Sequence, residues 1–229
     1  MSRVRVTAKF IPENKLLGTQ QSRAFLGVSL NNRVTTNPDS IERVFAWVAH
    51  HVGKFDPLLG DYVHRHNYQA FNGMSERAAE EQSRKDGEHA ATQLRDVAAT
   101  CGSKDVSLIT AEMLSREPEF ATCVARLRQL YGEHDRFRTL IDETTNAFVM
   151  RKHSSVPLND KVRDHCTAYQ LEELVLFEML ADRGYGTFVY PGAQLPVMKE
   201  IVSGSLHGVS RALQSLTLVE IRLFEDLDL

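Results

Sequence analysis

Ser29 is the first residue whose type and place suggest chemistry. It closes the run Arg23-Ala24-Phe25-Leu26-Gly27-Val28 and precedes polar Asn31-Asn32-Arg33. A short apolar run ending this way reads as a buried strand that delivers a hydroxyl to its carboxyl end, where open α/β sheets bind ligands. About 140 residues later stands Tyr169-Gln170-Leu171-Glu172-Glu173. In a helix, Tyr169 and Glu173 lie one turn apart on a single face. A third element, Thr187-Phe188-Val189-Tyr190-Pro191, again ends an apolar run in a polar aromatic. A phenol and a carboxylate facing a strand-end serine make a site where the serine can take an acyl group from an activated ester and an amine can be held. Taken singly, each feature has a plainer reading: a strand terminator, the polar edge of a helix, an aromatic packed before a turn.

The elements that must position these residues follow from periodicity. Residues 3–10 alternate through Val4, Val6, Ala8 and Phe10, as in an edge strand or docked arm. Asn37-Pro38-Asp39-Ser40 starts a helix that runs to about residue 52 on Ile41, Val44, Phe45 and Val48. Leu58 to Arg65 reads as a second strand, Val106 to Ile109 as a third, and 187–190 as a fourth. Ser75 opens a long polar helix to about Thr100; helical pattern fills 111–150, broken near Pro118 and Gly132. A further helix over 161–182 carries Tyr169 and Glu173, and Leu216 to Phe224 is a final strand. Strands alternating with helices predict an α/β fold, a mostly parallel sheet surrounded by helices. With no linker, repeat or low-complexity tract, residues 1–229 are expected to form one domain.

Composition narrows the function classes. The 229 residues are 42% hydrophobic, enough for one sizeable core, and the net charge of −3 gives no overall drive toward nucleic acid. Cys101, Cys123 and Cys166 are odd in number, far apart and without a CxxC, as expected of reduced thiols in a cytoplasmic protein. No apolar run of 18 residues predicts a membrane span. His64 and His66 would share one strand face, but no third ligand follows at zinc spacing, so no metal is expected. Neither a GxxxxGK[ST] nor a GxGxxG after a strand is present, so the chain is not expected to activate a substrate with ATP. Gly27-x-Ser29 lacks the second glycine of a hydrolase elbow. The long helix mixes Arg77, Arg84, Lys85 and Arg95 with six acids, a solvated face from which Arg84, Lys85 or Arg95 could reach phosphate.

In this order the motifs resemble the cyclodipeptide synthases: a strand ending in Gly-x-Ser, a helix with Tyr-x-Leu-x-Glu, and a strand ending in Tyr-Pro about twenty residues on. The resemblance spans roughly residues 23–191, including Pro118-Glu119-Phe120 and Asp135-Arg136-Phe137. It implies a Rossmann-like fold similar to the catalytic domains of class I tyrosyl- and tryptophanyl-tRNA synthetases. It implies an enzyme that joins two amino acids, each delivered by an aminoacyl-tRNA, into a cyclic dipeptide without a cofactor. Ser29 would be the acylated nucleophile, Tyr169 and Glu173 the anchors of the substrate amine, and Tyr190 an aid to proton transfer. The leaving ribose hydroxyl or substrate amine would shuttle protons, which suits the missing motif histidine. Tyr190-Pro191 matches the Tyr-Pro subgroup, whereas Asn32, three residues after Ser29, is usual in the other. The first amino-acid pocket would involve Phe25, Gly27, Val63 and Leu176, and the second Thr144 and Arg151. A buried Arg151 guanidinium would favour an acidic second amino acid such as glutamate. Acceptor-stem contacts would come from Arg84, Lys85 and Arg95. A monomer or weak dimer is expected, with tailoring enzymes acting on the product.

Two other readings stay open on the sequence. A tRNA- or RNA-binding module with a synthetase-like fold would bind without forming an adduct on Ser29. A serine esterase would turn over simple activated esters without tRNA.

Overall fold

The structure is a computed structural model that describes residues 4–12, 23–101 and 105–225. Six strands form one sheet: β1 (Val4–Ile11), β2 (Arg23–Val28), β3 (Phe55–Leu59), β4 (Ile109–Thr110), β5 (Tyr185–Tyr190) and β6 (Thr217–Glu225), in the order β1-β6-β5-β2-β3-β4. All neighbours run parallel except β1 and β6, so the alternating segment near the start is an antiparallel edge strand. From β2 the chain proceeds outward through β3 and β4; β5 then returns to the other side of β2. The strand order therefore switches between β2 and β5, opening a crevice at their carboxyl ends. Ser29 and Tyr190 stand at that crevice.

The helices are α1 (Arg33–Thr36), α2 (Pro38–His51), α3 (Arg65–Phe71), α4 (Glu76–Thr100), α5 (Ala111–Ser115), α6 (Pro118–Glu133), α7 (Asp135–Lys152), α8 (Asp160–Asp182), α9 (Pro196–Val202) and α10 (Arg211–Ser215). The starts signalled by side chains hold: Asn37 caps α2 and Ser75 caps α4, and Asn159, two residues before the expected start, caps α8; each accepts from a backbone N–H of the first turn. α8 runs without glycine or proline and stops before Gly184, whose φ of +89° suits a residue without a Cβ.

β2 separates two cores. Ala24, Leu26 and Val28 pack with α2 and α4, while Phe25 joins the larger cluster with α8. Both faces are covered, so the strand reads as a continuous apolar run.

Two strand expectations are corrected. The second strand is Phe55–Leu59 rather than 58–65: Asp61 accepts from Tyr62 N–H at 2.8 Å and turns the chain into a 3-10 segment, Tyr62–His64, and then α3. His64 and His66 accordingly leave the strand; His64 contacts Asn67 at 3.1 Å, and the two histidines share no strand face. The third strand shrinks to Ile109–Thr110, because β3 offers partners to just those residues at the sheet edge. Helix α3 escaped sequence reading because Val63 to Tyr68 carries four polar residues, all buried: Arg65 and His66 against Glu172, and His64 against Asn67.

Candidate active site

Ser29 emerges one residue beyond β2. Its carbonyl accepts the Thr35 hydroxyl at 2.6 Å, and its Oγ lies 3.3 Å from the Asn31 N–H. That bond, from two residues on, is a local serine turn that fixes the hydroxyl at the strand end. From α8, Tyr169 and Glu173 line the same two hollows as Ser29, and both Ser29 and Glu173 act on the Tyr169 phenol. The Ser29 hydroxyl lowers the Tyr169 pKa and the Glu173 carboxylate raises it, as expected of a donor and an acceptor facing the phenol. Serine, phenol and carboxylate thus meet at one place.

Burial sets the ionisation of this group. It pushes Glu173 up to about 7, against the opposing pull of the Tyr169 phenol. Burial and then the Glu173 charge hold Tyr169 well above its usual value. Tyr190 is also raised, by burial and then Glu173, while Asn32 and the Arg151 charge act the other way. At neutral pH both phenols are therefore protonated donors, and Glu173 is poised near half ionisation. A substrate ammonium arriving beside Glu173 would complete that ionisation.

Asn32 ties the two strand ends together. Its amide nitrogen donates to the Tyr190 phenol at 3.3 Å and to the Pro191 carbonyl at 2.8 Å, while its Oδ1 caps α1 by accepting from Val34 N–H at 3.0 Å.

Two hollows meet at Ser29, Tyr169, Glu173 and Tyr190. The narrower is apolar, with Gly27, Val63 and Leu176 on its walls together with Leu58, Gly60, Phe177 and Phe188. Phe25 does not line it, a correction to the expected pocket. It lies behind, stacked on Phe188 at 4.7 Å, because α8 brings Phe177 and β5 brings Phe188 across the pocket face of β2. Gly27 makes the space: a Cβ there would come within 2.8 Å of the Phe188 ring and 3.1 Å of Tyr190.

The wider cavity, about 970 Å³, has Asn32, Thr144, Arg151 and Pro191 on its lining. Arg151 is exposed at its edge rather than buried, since it occupies the last turn of α7 where the helix runs out into solvent. Sequence reasoning missed Gln170, Phe148 and the segment 192–196 on this lining. A signal existed for α8: Cys166, Gln170, Glu173 and Phe177 recur at helical spacing on one stripe, and all four face the cavity.

Behind the site, buried Glu172 receives two hydrogen bonds of 2.8 Å from Arg65, with His66 at 3.0 Å. Burial alone would raise the Glu172 carboxyl, but His66 and Arg65 hold it below the usual value. This pair locks α3 to α8. Arg84, Lys85 and Arg95 lie away from the site, exposed along α4. Arg84 borders a separate recess shared with Arg77 and the acids Asp61, Glu80, Glu81 and Glu112. Among the described residues, no group of three or more His, Cys, Asp or Glu side chains could hold a metal ion, and no helix is long and apolar enough to cross a membrane.

A mostly parallel sheet with a serine just beyond a strand end at its switch point, facing a phenol and a carboxylate, defines a Rossmann-like fold whose site has the groups acyl transfer needs. The sequence matches the family model for cyclodipeptide synthases over residues 13–218, and the chain belongs to that family. Its members are enzymes that use aminoacyl-tRNAs to form cyclic dipeptides. No curated protein matches the sequence. Among solved structures, the chain is similar to a cyclodipeptide synthase from Fluoribacter dumoffii, at 17% identity and a TM-score of 0.82, covering 97% of this chain and 100% of that one. It is also similar to a Mycobacterium tuberculosis protein whose structure relates cyclodipeptide synthetases to type I tRNA synthetases, at 14% identity and TM-score 0.69, covering 90% and 86% of the two chains. A third is the cyclodipeptide synthase from Candidatus Glomeribacter gigasporarum bound to Phe-tRNAPhe, at 19% identity and TM-score 0.65, covering 92% and 91%. At these identities the likeness is one of fold.

Proposed function

We propose that this enzyme works by covalent transfer through Ser29, with the meeting of Ser29, Tyr169 and Glu173 where the two hollows join as the observation that carries the reading. Ser29 Oγ attacks the ester carbonyl of the first aminoacyl-tRNA. The bond to the ribose oxygen breaks, and that oxygen leaves with the serine proton. Glu173, ionised beside the new ester's ammonium, and neutral Tyr169 hold the amino acid in place. The amine of the second aminoacyl-tRNA then attacks the Ser29 ester, forming the first peptide bond and freeing the serine. Ser29 next displaces the second tRNA to give a dipeptidyl ester, and the free amine closes the six-membered ring on it. Tyr190, kept neutral and oriented by Asn32, aids proton transfer.

The apolar hollow walled by Gly27, Val63 and Leu176, and backed by Phe25, takes the first side chain. The wide cavity with Thr144 takes the second. Arg151 supports an acidic second amino acid through its place on that lining and its action on Tyr190, which direct its charge toward the site. Tyr190-Pro191 puts the chain in the Tyr-Pro subgroup, with Asn32 retained as the strand tie. The acceptor stem lies along α4 at Arg84, Lys85 and Arg95. The whole chain acts as one domain, a monomer or weak dimer in the cytoplasm, and tailoring enzymes take its product.

The deciding experiment exposes the protein to aminoacyl-tRNA and weighs it intact. An aminoacyl adduct on Ser29, lost in Ser29→Ala, together with a cyclic dipeptide in the reaction, is the expected result. Tight tRNA binding without adduct or product would return the chain to the RNA-binding reading.

A further inference from the structure

The wide cavity has a rim that the acyl chemistry leaves unused. Arg33 and Lys152 lie on its lining, both exposed, and neither enters an ion pair among the described residues. They come from different parts of the chain: Arg33 sits four residues past the nucleophile, and Lys152 ends α7. Arg151 differs from them, because its charge is felt at Tyr190 inside the site. Glu143 is exposed on the same lining, so the rim holds cations of both kinds against a single exposed carboxylate among the described residues.

One turn before Lys152, Phe148 lines the cavity half-buried. It belongs to an aromatic group: its ring is 5.8 Å from Phe71 and 5.6 Å from His153, and those two stack at 3.5 Å. A platform of rings beside unpaired cations is the composition that binds unpaired nucleotides, by stacking their bases and meeting their phosphates. At about 970 Å³ the cavity lies near the top of the range of roughly 300–1,000 Å³ for drug-sized ligands, which leaves room for a nucleotide beside an amino acid. The net charge of −3 means that such cations must be placed locally.

We propose that Arg33 and Lys152 bind the phosphates of the unpaired 3′ end of aminoacyl-tRNA, and that Phe148 stacks on one of its bases. The inference rests on the proposed function, since an ester on the 3′ ribose that reaches Ser29 brings its own neighbouring phosphates to this rim. The contact is distinct from the α4 cations, which would meet the paired stem.

The test measures binding of deacylated tRNA to the full chain over a range of salt, with the tRNA either intact or trimmed of its last three nucleotides. For Arg33→Ala/Lys152→Ala, affinity for intact tRNA should fall about tenfold. The log–log salt slope should shrink by about 1.4, from two single-strand contacts at about 0.7 each. Trimming, which removes the phosphate and the stacking contacts together, should weaken the wild type about a hundredfold and erase its advantage over the variant. Phe148→Leu should cost about tenfold with an unchanged slope, and Phe148→Tyr should restore binding. Equal losses on intact and trimmed tRNA, or an unchanged slope in the double variant, would overturn the inference. Because binding is read without catalysis, absence of a Ser29 adduct would sink the proposed mechanism, while the rim would still stand or fall on the intact and trimmed tRNAs alone.

Discussion

The Asn32 side-chain amide donates across the strand switch to the phenolic oxygen of Tyr190, 3.3 Å away and 158 residues distant in the chain. The same nitrogen holds the Pro191 carbonyl, and the amide oxygen caps α1. Asn32→Asp separates these roles, since the carboxylate keeps the cap but donates to neither partner. A lost, partly buried hydrogen bond is worth about 1–3 kcal/mol, or a factor of roughly five to 150. We expect kcat for cyclic dipeptide formation to fall by about that factor in Asn32→Asp, and the melting temperature to fall by several degrees. Comparable rates in the two proteins would remove Asn32 from Tyr190 positioning.

Glu173 gives the reaction an acid limb. With its carboxyl at about 7, the free enzyme loses its amine-holding charge as pH falls through that value. The rate of acyl-enzyme formation at low substrate should therefore drop below pH 7 and level off above it. Glu173→Gln should be slow at every pH and lose the acid limb.

The same carboxyl also limits stability. Its folded value lies above the ordinary carboxylate value, so the native state binds more protons than the unfolded chain between about 4.5 and 7, and stability falls as pH rises through that window. Glu173→Gln should melt above wild type at pH 8, by at most about 3 kcal/mol, and converge with it near pH 5. Thermal melts across this range check the sign.

Glu172→Gln should do the opposite. It leaves the buried Arg65 guanidinium without its carboxylate, a loss of about 3–5 kcal/mol. The Glu172 carboxyl is held below its usual value, so this contribution is present at neutral pH and is lost as pH falls through the folded value. Denaturant melts at pH 7 and at pH 4 should show the gap narrowing with acid.

Along α4, charge reversal of Lys85 and Arg95 should weaken tRNA use most at low salt and flatten its salt dependence by about 0.9 for each phosphate no longer neutralised. Arg84 should matter less, because it borders a recess already shared with four carboxylates. Unchanged KM for aminoacyl-tRNA in the double reversal would place the stem elsewhere.

Much of this architecture is legible in the sequence. The parallel sheet, the capped helices α2, α4 and α8, and the approach of Ser29, Tyr169, Glu173 and Tyr190 follow from apolar period, caps and motif order. The 3-10 segment and α3 are not legible, because their burial depends on Glu172, 107 residues away in the chain. Arg151 reads as buried since sequence does not reveal where α7 meets solvent. Phe25 reads as a pocket wall because nothing local announces that two other rings cover it.

Gly27 bears on how the enzyme could change its diet. At that position the narrow hollow is bounded by backbone, and even a methyl group would drive into Phe188, itself wedged between Phe25 and Phe177. The strand wall is thus closed to gradual variation. On the proposed assignment of this hollow to the first amino acid, new preferences must arise on the opposite side, at Val63 and Leu176, where successive small exchanges can reshape the space while the strand that ends at Ser29 stays untouched.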